Sequence, residues 1–254
     1  MKKLILTTLA GLTLGIPVFA ATDVVPNGYE NQEAGGGFSP PLSSGEVHYQ
    51  QLYDASQFQP LLPGGALITE IRFRTDGPLG NSFNATLQDV EIRLSTSTRN
   101  VAGMSKFFAD NTGADETIVY PRGSLPFTGT HSGITGPKSF SVVIPLPKPF
   151  YYNPAAGNLL FDYRNYGRPP QDGSLLDAWT SEPSPFALIK GGINSDQSDI
   201  GLGVAREGLV TQFVFVSVPE PSTFVLIAFG SWPLFLIRKR PRAEVNFQEL
   251  ETQK

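Results

Sequence analysis

Cysteine is missing from this 254-residue chain, so it forms no disulfide, offers no thiol nucleophile and builds no cysteine-ligated zinc or iron–sulfur site. Histidine is scarce: His48 and His131 are the only imidazoles. Charged residues are also few, at 17%, beside 40% hydrophobic residues and 18 Phe, a balance that excludes wholesale disorder because such a chain can bury a core. Internal repeats of 20 to 50 residues are lacking, which excludes a solenoid or propeller. Basic stripes are lacking too. Residues 21–219 hold 12 Lys and Arg against 19 Asp and Glu, a net charge near −7 that phosphate polymers repel, so a nucleic-acid partner is not expected.

What is abundant is glycine (26) and proline (22), close to one residue in five against roughly one in eight usually, and without a collagen-like period. That composition predicts many turns and short strands. Apolar residues alternate at a spacing of two in Ile68 to Arg74 and in Asp89 to Leu94. Further strands are predicted at Val47 to Leu52, Thr117 to Tyr120, Phe140 to Ile144, Leu159 to Tyr163, Phe186 to Ile189 and Gln212 to Val216, with Gly, Pro and Asn turns between them. Only Gly103 to Phe108 reads as a helical turn. The stretch from Ala21, with Gly35-Gly36-Gly37 and Pro40-Pro41, reads as a flexible lead-in, with order beginning near Val47.

The two ends carry addresses. Lys2 and Lys3 precede an apolar run from Leu4 to Val18, and small residues follow at Val18-Phe19-Ala20. This pattern predicts a secretory signal peptide cut by signal peptidase between Ala20 and Ala21. Near the other end, Thr223 to Ile237 is apolar; fifteen helical residues reach about 22 Å of a roughly 30 Å hydrocarbon layer. Ser222 and the snorkelling stems of Arg238, Lys239 and Arg240 extend that to about 28 Å, enough for a membrane anchor running from Phe224 to Ile237. The basic cluster is retained on the cytoplasmic side, which leaves the fold outside. Just before the span, Pro219-Glu220-Pro221 forms a stiff extended segment that presents Glu220 at the outer boundary of the membrane.

The order of Pro-Glu-Pro, apolar segment and basic cluster, behind an amino-terminal signal, resembles the PEP-CTERM sorting signal of exported Gram-negative bacterial proteins. The resemblance implies recognition of Pro219, Glu220 and Pro221 by exosortase, an integral membrane transpeptidase-like enzyme, and delivery to the cell envelope or an exopolysaccharide matrix. Phrases such as Ile71-Arg72-Phe73-Arg74 and Asn153-Pro154-Ala155-Ala156-Gly157-Asn158 are similar to those of PEP-CTERM ectodomains and imply an all-β domain. PEP-CTERM proteins typically end soon after the basic cluster, whereas this chain continues from Pro241 to Lys254. The alternative reading is a single-span membrane-anchored protein without exosortase processing, in which Pro-Glu-Pro is a linker.

The expected organisation is a signal peptide and helix over 1–20, a flexible lead-in over 21–46, and a single β-sandwich or jelly-roll ectodomain over 47–217. A sorting signal with a transmembrane helix follows over 218–240, and a cytoplasmic tail over 241–254. No catalytic motif is expected. Gly129-Thr130-His131-Ser132-Gly133 holds His where a nucleophile elbow needs Ser. Gly136-Pro137-Lys138-Ser139 is no phosphate loop, and Gly201-Leu202-Gly203 has Arg206 at the third-glycine position of a dinucleotide fingerprint. Asp172 and Asp177 could pair as hydrolase carboxylates, but no pattern marks an acid and a base. The oxygen-rich runs Asp110 to Glu116 and Asn194 to Asp199 lack the EF-hand spacing and serve equally as turns, so no metal or cofactor is assigned. Two roles then remain for the ectodomain: a non-enzymatic structural or adhesive one, or the binding of exopolysaccharide through stacking on Tyr151, Tyr152 and Trp179.

Overall fold

The computed structural model describes residues 20–38, 45–58, 64–133, 136–168, 174–191 and 196–217. The chain divides into a unit Met1–Val218 and a unit Pro219–Lys254, and all the described residues belong to the first. That unit is all-β. Its strands are β1 (Ala20–Val25), β2 (Gly35–Phe38), β3 (Val47–Tyr53), β4 (Ala66–Phe73), β5 (Phe83–Ser97), β6 (Thr117–Gly129), β7 (Val142–Tyr152), β8 (Asn158–Asn165), β9 (Leu176–Trp179), β10 (Phe186–Lys190), β11 (Val204–Ala205), β12 (Gly208–Leu209) and β13 (Thr211–Val216). They form three sheets, ordered β1-β13-β4-β7, β11-β10-β3-β8-β5-β6 and β12-β9-β2. All pairings between these strands are antiparallel.

Local pattern explains the strands. In β13, Thr211, Phe213 and Phe215 point inward while Gln212, Val214 and Val216 are half-buried, a period of two. In β4 the alternation slips: Ile68 is buried, then Ile71 and Phe73, because the register against β7 shifts between Ile68 and Glu70. Strand β7 is an edge, and Pro145, Pro147 and Pro149 remove three N–H donors from it while Ile144, Leu146 and Phe150 fill the core. Proline at alternate positions of an edge strand blocks pairing with a second chain.

One buried cluster draws residues from all three sheets. Tyr53 of β3 meets Phe213 of β13 edge-on at 5.1 Å between ring centroids, and Phe73 of β4 meets Phe161 of β8 at 6.3 Å. Every residue of β3 is buried, so its outer face is covered as well. The cover comes from the segment 101–108: Val101, Met104 and Phe108 form a second apolar cluster with Leu52, Leu160 and Ile189.

Three sequence expectations need correction. The lead-in over 21–46 is not open coil: it holds β1 and β2, so strands are present well before Val47. Gly103 to Phe108 is not one helical turn; 3-10 turns lie at Val101–Gly103 and Phe108–Asn111 instead. The predicted strands are generally longer in the structure, and β9, β11 and β12 are additional. The expected signal helix and transmembrane helix lie outside the described residues, among which no helix is long and apolar enough to cross a membrane.

Candidate functional site

Pro219, Glu220, Pro221, Phe224, Ile237, Arg238, Lys239 and Arg240 also lie outside the described residues. At the expected cleavage point, Ala20, Ala21 and Thr22 are exposed at the start of β1, where Ala20 pairs with Val216 and Ala21 with Phe215. The three aromatic residues singled out for sugar contact do not share a face. Tyr152 is fully buried against Phe58, with its hydroxyl donating to the Gly157 carbonyl, which removes it from any surface. Its neighbour Tyr151 is 49% exposed. Trp179, on β9, packs edge-on to Tyr29 and donates through Nε1 to the Ser181 carbonyl.

The oxygen-rich run at Asp110 to Glu116 is consumed by the fold. Asp115 accepts from the Thr96 N–H, Asp110 from the Ser105 hydroxyl, and Asn111 ties Gln50 to the Ser105 and Phe107 carbonyls. Of the second run, Asn194 and Ser195 are outside the described residues. His131 is half-buried, with Nδ1 3.2 Å from the Thr75 hydroxyl.

Two polar constellations emerge that the sequence did not announce. The first is on the outer face of β3 and β8, where the strand period places His48 and Gln50 beside Asp162 and Arg164. His48 Nε2 lies 3.0 Å from both Asp162 oxygens, its Nδ1 lies 3.2 Å from the Ser198 carbonyl, and the ring stacks on Phe108 at 3.6 Å. Gln50 donates to Asp162 at 2.6 Å. These side chains, with Glu116 and Asp199, line a cavity of about 380 Å³. Both nitrogens of His48 face protein acceptors. Thr112 supplies the only hydroxyl side chain among the described lining residues. The arrangement is a polar recess with a braced imidazole.

The second centres on Arg74, whose guanidinium is completely buried. After β4, the chain runs beside β9: Thr75 bridges Leu176, the Asp76 N–H donates to the Leu175 carbonyl, and the Asp177 N–H to the Arg74 carbonyl. This brings Arg74 Nε and Nη2 to 2.8 Å and 2.5 Å from Asp177 Oδ2. Arg74 also donates to the Gln32 carbonyl, and its guanidinium lies 4.9 Å from the Phe140 ring centroid. Carboxylates of Glu33, Asp76 and Asp177 come together here, with one oxygen of each inside a 4.8 Å span. Burial pushes the Asp177 carboxyl up to about 6; Arg74 pulls it down and Glu33 adds repulsion. Asp177 is therefore an ion-pair partner, and Asp172 lies outside the described residues.

Sequence reasoning missed both groups because their members come from distant parts of the chain, as far apart as Glu33 and Asp177, and share no motif. The signals were weak but present. Gln50 is an amide in an otherwise strand-forming run, and Arg74 is a cation directly following the buried Phe73. Compared with known proteins, the chain matches no protein-family model and no curated protein.

Proposed function

We propose that this chain is an exported protein of the PEP-CTERM type, whose β-sandwich ectodomain serves a structural or adhesive role at the cell envelope or in an exopolysaccharide matrix. Signal peptidase removes the leader, and exosortase recognises Pro219-Glu220-Pro221 at the membrane. The observation that carries the reading is the pairing of β1 with β13. Ala20, where the leader ends, stands opposite Val216, three residues before Pro219. The described chain therefore enters and leaves at one end of one sheet. That suits a domain made at a membrane surface, with one apolar segment leading in and another leading out.

The sandwich reading rests on ring contacts that join β3 to β13 and β4 to β8. A contact role is supported by exposed apolar side chains near the β11 edge: Leu202 is 77% exposed, beside Ile200 and Phe107, which bridge each other. A non-catalytic role is supported by His48, whose ring is braced on both sides. The exopolysaccharide alternative retains only Tyr151 and Trp179 as ring donors, and glycan retention lost on changing either would favour it.

Processing is the direct test. Replacing Glu220 with Ala should leave export intact and stop maturation at the membrane, read by intact mass in strains with and without exosortase. Identical products in both strains would rule out the sorting assignment.

A further inference from the structure

We propose that the Glu33, Asp76 and Asp177 carboxylates form a binding site for a hard divalent cation, calcium in preference to magnesium. Charge is the first argument. Three carboxylates surround one guanidinium, Arg74, and when ionised leave a local surplus of two negative charges where Asp76 and Asp177 are each only 1% exposed. Buried charge of that size is costly unless matched, and a divalent cation matches it.

Unused ligand atoms are the second argument. Asp76 takes the Leu79 N–H on Oδ1 at 2.6 Å, which leaves Oδ2 as the oxygen it can offer. That oxygen is directed at the β2–β9 ladder: it lies 3.1 Å from where a Cβ on Gly37 would sit, and Gly37 is the register partner of Asp177. Glu33 takes the Gly77 N–H on Oε1 at 2.7 Å, while its Oε2 is buried with no hydrogen-bond partner. Buried carboxylate oxygens are rarely left unmatched. One such oxygen, Glu33 Oε2, within a cluster of three carboxylates marks a missing electropositive partner.

Burial selects the ion. Magnesium dehydrates reluctantly, keeps several waters and is held by one or two carboxylates, whereas calcium accepts several protein oxygens at once. Three carboxylates meet here within 4.8 Å of one another, and with Asp76 and Asp177 each 1% exposed there is little room for retained water, which suits calcium. An ion there ties the turn before β2, the turn after β4 and strand β9, three segments far apart in the chain. The expected consequence is stability that depends on calcium, by mass action on the folded state.

The test uses the purified full chain, stripped with chelator and titrated with calcium chloride or magnesium chloride. Calcium at millimolar concentration should raise the melting temperature by about 4 °C or more, and calorimetry should give one site per chain. Magnesium should give less than half that shift. Asp76→Asn and, at the less buried position, Glu33→Gln should each abolish the calcium shift while keeping the β-type circular dichroism in chelator. Asp177 is left intact because its loss would strand Arg74. Absence of calcium heat and shift in the parent chain overturns the proposal, and so does an undiminished shift in a folded Glu33→Gln or Asp76→Asn chain. An equal magnesium response overturns the ion preference.

Discussion

Asp23 shows how a single side chain sets a pH dependence. It lies on β1 opposite Phe213, is 7% exposed, and its Oδ2 is buried without a partner. Burial pushes its carboxyl from 3.8 up to about 6, and nearby Glu30 adds repulsion. Between those two pH values the folded chain holds a proton that the unfolded chain has lost. Stability therefore falls as pH rises through that window and levels off above it. Asp177 is raised to a similar value, so the slope of the parent protein carries both groups. Asp23→Asn, neutral throughout, should reduce the slope and raise stability near pH 7.5 by about 1 to 2 kcal/mol. Urea unfolding at about pH 4.5 and pH 7.5 checks this, and an unchanged difference between the two would remove Asp23 from the account. Neither group was legible beforehand, because the chain alone shows Asp23 as a polar residue just past a cleavage site and says nothing of what covers it.

Strand β2 makes the corresponding point for elements. Gly35-Gly36-Gly37 has no side-chain period and so reads as a flexible stretch, yet it pairs with Trp179, Ala178 and Asp177 of β9. The missing side chains are the reason it fits. A Cβ on Gly36 would stand 2.8 Å from the Ala178 carbonyl oxygen and 2.8 Å from Thr180 Cγ2. Gly36→Ala should therefore cost about 1 to 3 kcal/mol, whereas Gly203→Ala, with nothing within 4 Å, should stay near neutral; chemical denaturation of the two variants separates them. Elements with a repeating apolar pattern were legible: Ile71 and Phe73 mark β4, and Val90, Ile92 and Leu94 mark β5. β1, β2 and β9 were not, because short runs such as Leu176–Trp179 gain their strand identity from neighbours rather than from their own period. The carboxylate cluster fails to read for the same cause: Glu33, Asp76 and Asp177 meet only once β2, β4 and β9 are in place.

At the scale of the whole molecule, the first strand and the last close one sheet, and this sets where the chain can be cut. β1 covers one edge of β13 along six paired positions, and it buries Val24 and Val25 completely or nearly so. A chain trimmed to residues 21–218 keeps every described residue but Ala20, and five of those six pairs. It should unfold cooperatively in urea with a β-type spectrum, independent of the segment from Pro219 onward. Trimming further to residues 27–218 removes two buried valines and uncovers the backbone of β13, whose Phe213 and Phe215 belong to the core. The loss should be about 3 kcal/mol or more, accompanied by concentration-dependent association through the open edge. Light scattering and urea midpoints of the two chains decide the matter. If the shorter chain were as stable and as monomeric as the longer, β1 would be a dispensable leader remnant, and its pairing with β13 would lose its structural weight.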